Sequence, residues 1–345
     1  MKLLFIGGTG IISSACSTLA IARGHDLFLV NRSRSRKLPA PEQATVFQAD
    51  VYTEEEHLAT LLAGHRFDAV VDFLAYTPGD IERDLRLFRG RTNQFVFISS
   101  ASAYQKPVKN FLITEETPLE NPYWEYSRNK IACEQRLMEA FWGEGFPVTI
   151  IRPSHTYGPT QIPFGVSSWQ HPWTVVDRMK RGQKIIVPGD GTSLWVLTWS
   201  ADFAKGLVGL LGNEKAIGEA FQITSDEVLS WNQIHLEVYQ ALGLEPNILH
   251  IPSDLIARFD PHAWGSLVGD KANSVVFDNR KIKRFVPEYS CKVNWADGVR
   301  RSLSWFTTHP EFQTVDQESN ALWDRIIASY ERALPRLESP ASNAG

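Results

Sequence analysis

Short apolar runs alternate with longer segments of helical periodicity over residues 1–150. The runs predicted as strands cover residues 3–6, 26–30, 45–48, 69–73, 95–98 and 148–151. The segments predicted as helices cover residues 13–23, 54–62, 81–88 and 126–142. Strands that are apolar throughout and separated by helices form parallel sheets with both faces covered. The pattern therefore predicts an α/β fold built on a doubly wound parallel sheet.

The pattern changes after Pro159, because residues 159–195 are rich in Pro, Gly and Trp and have few periodic runs. A helix is predicted at 200–211, a strand at 220–224, and two further helices that begin at the caps Ser230 and Asp316 and end near Gly243 and Ala333. The predicted organisation is a first lobe from residues 1–158 and about 196–226, a smaller C-terminal α/β lobe from about 159–195 and 227–315, a helix at 316–335 and a disordered tail at 336–345.

A glycine-rich turn follows the first strand and opens the first helix, with the sequence Gly7-Gly8-Thr9-Gly10-Ile11-Ile12-Ser13. Glycines here let the backbone approach a pyrophosphate, and the helix N-terminus supplies unpaired N–H groups and the positive end of a dipole. The turn predicts a dinucleotide site, and the alternative is a tight turn before a packed helix. Ser13 replaces a third glycine, so we expect a slight adjustment without loss of binding. The residues assigned to the pyrophosphate are Gly7, Thr9, Gly10, Ile11 and Ile12.

The end of the second strand bears on the choice between NAD and NADP. A carboxylate here would bind the ribose 2′-hydroxyl of NAD, but the chain has Asn31, followed by Arg32, Arg34 and Arg36. Because arginine suits a phosphate, the sequence favours NADP over NAD, and a solvated basic loop explains the arginines about as well. The other residues assigned to the cofactor are Asp50 and Val51 at the adenine edge, together with Leu74, Ala75, Pro153 and His155.

A tyrosine and a lysine four residues apart, Tyr126 and Lys130, lie on one face of a predicted helix. Tyrosine is a poor base at neutral pH because its pKa is about 10, and a nearby ammonium favours the phenolate and lowers that pKa. Ser100 follows the strand at 95–98 and lies 26 residues before the tyrosine, and its hydroxyl can orient a substrate oxygen. The three residues together predict a site for proton transfer.

These motifs resemble those of the extended short-chain dehydrogenase/reductase superfamily, which contains NAD(P)-dependent sugar epimerases and dehydratases. The resemblance covers about residues 1–310. It rests on the segments 7–13, 99–104 and 152–159, on Tyr126 with Lys130, and on Gly189-Asp190-Gly191 leading to Asp202. It implies a Rossmann-type first lobe for the dinucleotide and a C-terminal lobe for the substrate. It also implies that Ser100 orients the substrate oxygen, that Tyr126 transfers the proton and that Lys130 holds the nicotinamide ribose.

The chain departs from the family pattern at three places. Dehydratases of the family carry Asp-Glu directly after the serine or threonine, whereas this chain has Ala101 and Ser102, so dehydration is disfavoured. Nucleotide-sugar members usually bind the diphosphate with an arginine where this chain has Trp195, which disfavours a nucleotide diphosphate substrate. His155 stands where the family usually has an asparagine.

The substrate lobe is rich in aromatic residues, whose faces can stack on a sugar. Core packing is the more ordinary explanation for any single tryptophan, and we expect two or three of them to line the pocket. Arg178, Lys180 or Lys271 could supply the charge that the missing arginine would have carried. The residues assigned to the substrate are Ser100, Ser102, Trp124, Tyr126, His155 and Trp195.

The composition is that of an ordinary globular protein, with 345 residues, 43% hydrophobic and 21% charged side chains and a net charge of −4. That charge argues against nucleic acid or an anionic membrane as a partner. Cys16, Cys133 and Cys291 are far apart, and no metal-ligand spacing occurs, so we predict free thiols and no metal site. The chain lacks a signal peptide and a long apolar run, which predicts a cytoplasmic protein.

The sequence therefore predicts an NAD(P)-dependent oxidoreductase or epimerase that acts on a secondary alcohol or ketone of a small sugar-like substrate. One alternative is a nucleotide-sugar 4-epimerase or reductase. Another is a non-catalytic NAD(P)-sensing or RNA-associated protein on the same fold, against which the intact Ser100, Tyr126 and Lys130 argue. The sequence leaves open the choice between epimerisation and ketone reduction, and whether the chain forms a homodimer.

Overall fold

A computed structural model of the protein describes residues 1–32 and 37–334. Within them the strands are β1 (Lys2–Ile6), β2 (Asp26–Asn31), β3 (Thr45–Gln48), β4 (Ala69–Asp72), β5 (Phe95–Ile98), β6 (Leu112–Ile113), β7 (Val148–Pro153), β8 (His155–Tyr157), β9 (Ile185–Pro188), β10 (Leu194–Trp195), β11 (Leu197–Trp199), β12 (Ala220–Ile223), β13 (Leu229–Ser230), β14 (Ile248–Ile251) and β15 (Val276–Phe277).

The helices of the same residues are α1 (Ile11–Ala22), α2 (Glu55–Leu61), α3 (Pro78–Phe88), α4 (Glu125–Glu144), α5 (Trp173–Lys180), α6 (Ser200–Leu210), α7 (Trp231–Leu242), α8 (Ser253–Phe259), α9 (Arg280–Phe285), α10 (Trp295–Thr308) and α11 (Gln317–Ala333). Short 3₁₀ turns occur at Ala101–Ala103, Glu214–Ala216 and Pro310–Phe312, and a π-helical turn occurs at Trp264–Lys271. The predicted tail at 336–345 lies outside the described residues.

Seven strands of the described residues form one parallel sheet, in the order β12-β7-β5-β4-β1-β2-β3. The chain starts in the middle at β1, moves outward to β2 and β3, and returns to the other side of β1 at β4. In such a sheet, ligands bind at the carboxyl ends of the two strands where the order reverses. The glycine turn after β1 and the segment after β4 therefore face one crevice. This topology confirms the predicted Rossmann-type α/β fold.

The central strands are apolar throughout because both faces of the sheet are covered. Leu3 and Phe5 of β1 pack with α1 and α6 on one face, while Leu4 and Ile6 pack with α3 and α4 on the other. All four side chains are fully buried. Successive side chains of β1 are buried in two different cores, one on each face of the sheet. The strand is therefore apolar at every position from Leu3 to Ile6, whereas a half-exposed strand would be polar at every second position.

The elements before Pro159 agree with the sequence prediction within a few residues. The largest shift is at α3, which begins at Pro78 because Thr77 and Asp80 cap it reciprocally. In the second half, the predicted caps are confirmed: Ser230 Oγ accepts from the backbone N–H of Gln233, and Asp316 Oδ1 from that of Ser319. The sequence prediction missed α5, α8, α9, α10 and the short strand pairs there, since these elements are short or depend on partners far along the chain.

A third cluster of buried side chains lies beyond the sheet and contains most of the tryptophans of the C-terminal part. Its buried tryptophans are Trp173, Trp195, Trp199, Trp231, Trp295 and Trp323. Core packing explains Trp173 and Trp199, whereas Trp169 is 66% exposed and lines a cleft together with Trp195, in agreement with the expectation that two or three of the aromatic residues line the pocket. The boundaries assigned to the two lobes remain a prediction.

Candidate active site

A cleft of about 1050 Å³ opens at the carboxyl ends of the central strands and extends to the C-terminal part of the chain. The predicted site residues of the described part of the chain line this cleft, with Ala75 as the exception. Arg36 lies outside the described residues. The glycine turn, the tyrosine–lysine pair, the serines and His155 with Trp195 thus all line this one cleft.

The glycine turn is held by side-chain hydrogen bonds within the loop. Ser13 Oγ accepts a hydrogen bond from the backbone N–H of Gly10 at 2.8 Å and donates one to Gly7 O at 2.5 Å. Gly7 has φ +86°, and a Cβ there would lie 2.5 Å from Leu74 Cγ, so this position requires glycine. The serine that replaces a third glycine therefore ties the two ends of the turn together.

The turn also fits the diphosphate of a dinucleotide. A Cβ added to Gly10 would meet only Ser13 Oγ, at 3.3 Å, so the face of this residue is open to the cleft. The first backbone N–H groups of α1 lack partners within the helix, and the residues that carry them, Ile11 to Ser13, line the same cleft. An anion is the ligand that such a helix start favours. The residues from Gly7 to Ile12 would hold the diphosphate.

The residues expected at the adenosine end also line the cleft. Asn31 is buried at the end of β2, and Asp50 and Val51 follow β3. Arg32 Nη1 lies 3.6 Å from Asp50 Oδ2, with 55% of the arginine side chain exposed. The carboxylate beside the guanidinium weakens its attraction for a phosphate. Arg34 lies outside the described residues, like Arg36.

The ammonium group of Lys130 joins two strands of the sheet. Lys130 Nζ donates to Ala75 O at 2.6 Å, just after β4, and to Ile98 O at 2.8 Å, at the end of β5. The residue is 2% exposed, and burial lowers its pKa to about 8. Ala75 therefore contributes its carbonyl oxygen to the site, while its neighbour Leu74 lines the cleft.

Tyr126 lies one turn before Lys130 on α4, with its ring centre 5.8 Å from the ammonium nitrogen and 5.0 Å from the ring centre of Trp124. Burial raises the pKa of Tyr126, and the negative charge of a Tyr76 phenolate would raise it further, whereas a hydrogen bond with Ser100 lowers it. The expected lowering of this pKa by the lysine is therefore wrong here. Loss of water around the phenol outweighs the ammonium charge, which two carbonyls share. The tyrosine is held as a protonated phenol.

Three hydroxyl groups form a chain beside the tyrosine. Ser127 Oγ donates to Ser102 Oγ at 2.8 Å, and Ser102 Oγ lies 2.9 Å from Ser100 Oγ. Ser100 Oγ also accepts from the backbone N–H of Ser102 at 3.2 Å. A hydroxyl has one proton and two acceptor positions. When Ser102 donates to Ser100, both acceptor positions of Ser100 are filled and its proton is directed to Tyr126 or to an oxygen in the cleft. Ser102 supports Ser100 in this arrangement.

Two of the departures from the family pattern contact each other. Trp195 Nε1 lies 3.3 Å from His155 Nδ1. An indole N–H can only donate, so Nδ1 accepts and the proton of the neutral imidazole is on Nε2. Burial lowers the pKa of His155 to about 3, and the charge of Lys271 acts in the same direction. His155 and Trp195 thus form an uncharged wall of the cleft, next to Pro153.

The structure adds cleft residues that the sequence prediction did not assign to the substrate. Lys106, Asp270 and Lys271 line the catalytic end, and Trp169 lines the cleft with most of its side chain exposed. Lys106 could have been found, since it comes two residues after the serine motif at 99–104. Asp270 lies in the π-helical turn, in no recognisable motif, so the sequence carries no signal for it.

The three cations named as replacements for the missing arginine lie in different places. Lys271 lines the cleft. Arg178 is buried elsewhere and pairs with Asp324 at 2.7 Å, and Lys180 is exposed at the end of α5. Lys271 is therefore the candidate of the three that a substrate in the cleft can contact.

Metal-binding clusters and membrane-spanning helices are absent from residues 1–32 and 37–334. No group of three or more His, Cys, Asp or Glu side chains in that range is arranged to hold a metal ion. No helix of that range is long and apolar enough to cross a bilayer. Cys16, Cys133 and Cys291 are free thiols, and burial raises the pKa of Cys133 to about 12 and that of Cys291 to about 11.

The chain is similar in sequence to one family of known proteins. The model of the NAD dependent epimerase/dehydratase family matches residues 3–224. Similar curated proteins include the chloroplast stem-loop binding protein of 41 kDa b from Arabidopsis thaliana, which is 27% identical over 263 residues. Another is a UDP-N-acetyl-alpha-D-glucosaminuronate decarboxylase from Bacillus cytotoxicus, 23% identical over 334 residues. The alignments cover 72% of this chain and 65% of the plant protein, and 88% of this chain and 97% of the decarboxylase.

Solved structures show the same fold. A UDP-glucuronic acid 4-epimerase from Bacillus cereus in complex with NAD has a TM-score of 0.71 and 19% identity, and the match covers 90% of this chain and 98% of that one. A dTDP-glucose 4,6-dehydratase from Bacillus anthracis in complex with NAD has a TM-score of 0.72 and 18% identity, with the same coverage. Since the family model matches well over half of the residues, the protein belongs to the NAD dependent epimerase/dehydratase family of the short-chain dehydrogenase/reductase superfamily.

Proposed function

We propose that the protein is an NAD(P)-dependent enzyme that moves a hydride to or from a secondary alcohol or ketone of a small sugar-like substrate. The observation that carries this proposal is that Ser100, Tyr126 and Lys130 line the same cleft as the glycine turn. Hydride transfer needs the dinucleotide and the proton donor in one cleft, and the glycine turn and Tyr126 line the same one.

The residues have distinct roles in the proposed reaction. Bound NAD(P) supplies or accepts the hydride. In the reducing direction Tyr126, held as a phenol, would donate its proton to the carbonyl oxygen and become a phenolate. In the oxidising direction the phenolate form would accept the proton of the substrate hydroxyl and become the phenol again. Ser100 donates a hydrogen bond to the same oxygen and so orients it. Lys130 keeps its ammonium between the ends of β4 and β5, where it would contact the nicotinamide ribose.

Two features bear on the reaction type: the carboxyl groups that the site lacks, and whether the protein retains its cofactor between turnovers. Ala101 and Ser102 supply neither carboxyl group that dehydration in this family uses, so the proposal is ketone reduction or epimerisation. An epimerase returns the hydride to its substrate and so can keep the same cofactor from one turnover to the next. A reductase consumes the reduced cofactor and must exchange it after each turnover. Mass spectrometry of the denatured, purified protein distinguishes the two. A retained stoichiometric dinucleotide supports an epimerase, a lost one supports a reductase, and protein that binds neither NAD nor NADP contradicts the proposal.

A role with RNA is the alternative suggested by the name of the plant relative, a stem-loop binding protein. RNA binding relies on basic surfaces, and this chain has a net charge of −4. The cleft also contains a tyrosine, a lysine and a serine in an arrangement that RNA binding does not require. We therefore propose the enzymatic function.

We expect NADP to bind more tightly than NAD, because Asn31 adds no negative charge and Arg32 is exposed beside it. The dissociation constants of the two cofactors, measured by calorimetry, give the result directly. Arg32→Ala should reduce NADP affinity and leave NAD affinity unchanged. Equal or tighter binding of NAD by the unmodified protein would show that the arginines of this loop are only solvated.

UDP and UDP-glucose are expected to bind poorly. The one indole N–H of Trp195 is already bonded to His155, so this side chain has no donor left for a diphosphate. A diphosphate against the ring would lose water, and the ring itself supplies no counter-charge. Titration of UDP and UDP-glucose into the cofactor-loaded protein tests this expectation. Micromolar binding of either would restore the nucleotide-sugar alternative.

A further inference from the structure

Two lysines from distant parts of the chain meet at the catalytic end of the cleft. Lys106 follows the 3₁₀ turn Ala101–Ala103, and Lys271 ends the π-helical turn Trp264–Lys271. Both line the cleft together with Ser100 and Tyr126. The proton transfer proposed above uses neither of these ammonium groups.

A buried asparagine fixes this arrangement. Asn121 Nδ2 donates to Ser102 O at 2.9 Å and to Gly269 O at 2.8 Å, and the residue is 2% exposed. It thereby holds the π-helical turn against the serine segment. The positions of Asp270 and Lys271 beside the catalytic residues are thus built into the packing.

One carboxylate accompanies the two lysines. Asp270 Oδ1 lies 3.7 Å from Lys106 Nζ, and the charges of Lys106 and Lys271 both act on this carboxyl group. Among the described residues that line the cleft, the other carboxylate is Asp50, which pairs with Arg32 at the adenosine end. Lys106 and Lys271 therefore share one carboxylate, and Lys130 bonds only main-chain carbonyls, so ammonium groups outnumber carboxylates at the catalytic end.

An unbalanced ammonium group in a partly dry cleft costs free energy unless an anion pairs with it. The side chain of Lys106 is 1% exposed, so water offers it little compensation. Burial lowers the pKa of both Lys106 and Lys271, as expected for cations that are short of water and counter-charge. A ligand that brings a negative charge would remove this penalty.

We infer that the substrate carries a compact anionic group, a carboxylate or a phosphate attached directly to the sugar, which binds between Lys106 and Lys271. The inference rests on the proposed function and specifies its substrate class. Both lysines line the cleft together with Ser100 and Tyr126, so the anionic group is assigned to the same sugar unit as the reacting carbon. An acidic sugar or a sugar phosphate matches this placement.

Calorimetric titration of the cofactor-loaded protein with glucuronate, glucose 6-phosphate and glucose tests the inference. At least one of the two anions should bind about tenfold or more tightly than glucose, and which one does so separates a carboxylate site from a phosphate site. Lys271→Met should remove that preference and leave glucose binding unchanged. Lys215→Met removes an exposed lysine away from the cleft and should keep the preference.

Thermal unfolding of both variants establishes that they are folded; Lys271 is half-buried and so is a safer target than the buried Lys106. Equal affinity for glucose and both anions would overturn the inference, as would a preference that survives Lys271→Met. Binding of UDP in place of the two sugar anions would overturn it as well. Tyr126→Phe should keep the anion preference, so a failure of anion binding and a failure of the proposed catalysis are separable.

Discussion

Replacing Tyr126 by phenylalanine is expected to lower kcat by about 10²–10⁴-fold, the usual contribution of general acid–base catalysis. The substitution removes the hydroxyl that donates the proton and keeps the ring that packs against Trp124 and Tyr76. Folding and dinucleotide affinity should therefore stay close to those of the unmodified protein. Steady-state turnover on the sugar substrate, with the cofactor dissociation constant measured in parallel, separates the chemical step from binding.

Tyr123→Phe is a matched control for this experiment. Tyr123 precedes the same helix, is 39% exposed and does not line the cleft, so loss of its hydroxyl should leave kcat unchanged. Near-full activity of Tyr126→Phe on the true substrate would show that another group transfers the proton. Parallel losses in both variants would indicate a general effect on the start of α4.

Gly10→Val is expected to abolish dinucleotide binding while the protein remains folded. The structure makes this a clean substitution, because the only atom near the added Cβ is Ser13 Oγ at 3.3 Å, and the side chain would fill the space assigned to the diphosphate. We expect affinity to fall by at least about a hundredfold, which corresponds to about 2.8 kcal/mol at 1.4 kcal/mol per tenfold change. Calorimetric titration of NAD and NADP provides the measurement.

Gly143→Val is the control for Gly10→Val, because Gly143 is an exposed glycine of α4 with open space around it and lies away from the cleft. Gly7 would be a poor choice, since its φ of +86° and its contact with Leu74 mean that a side chain strains the fold itself. Unchanged dinucleotide affinity in folded Gly10→Val would mean that the turn only packs the helix.

The central sheet could be predicted from the sequence because its information is local. Each strand of the first half is an apolar run, and the residues on both faces of β1 are buried against different helices. The glycine turn and the tyrosine–lysine pair are also local patterns, which span seven and five residues. Their meeting in one cleft follows from the reversal of strand order at β1 and β4, which is a regular property of such sheets.

The remaining features depend on contacts between distant residues. Asp270 and Lys271 reach the site through Asn121, which is about 150 positions earlier in the chain, and no periodicity marks that contact. The pKa of Tyr126 was expected to fall on the basis of one neighbour, but burial by the surrounding elements decides its direction. The hydrogen bond between Trp195 and His155 likewise joins residues 40 positions apart and could not be predicted before the positions of β8 and β10 were known. These features are set by burial and by contacts between residues far apart in the sequence, which a local sequence pattern does not contain.

The hydrogen bonds of Lys130 have a consequence for deciding which relatives are active. Its ammonium bonds two main-chain carbonyls, one just after β4 and one at the end of β5, so a descendant that gave up catalysis and lost this lysine would leave both carbonyls without these bonds. We therefore expect folding alone to favour its retention. The hydroxyls of Ser100 and Tyr126 have no comparable task in holding strands together. Loss of those two hydroxyls beside a retained lysine is therefore the signature by which an inactive homologue would be recognised.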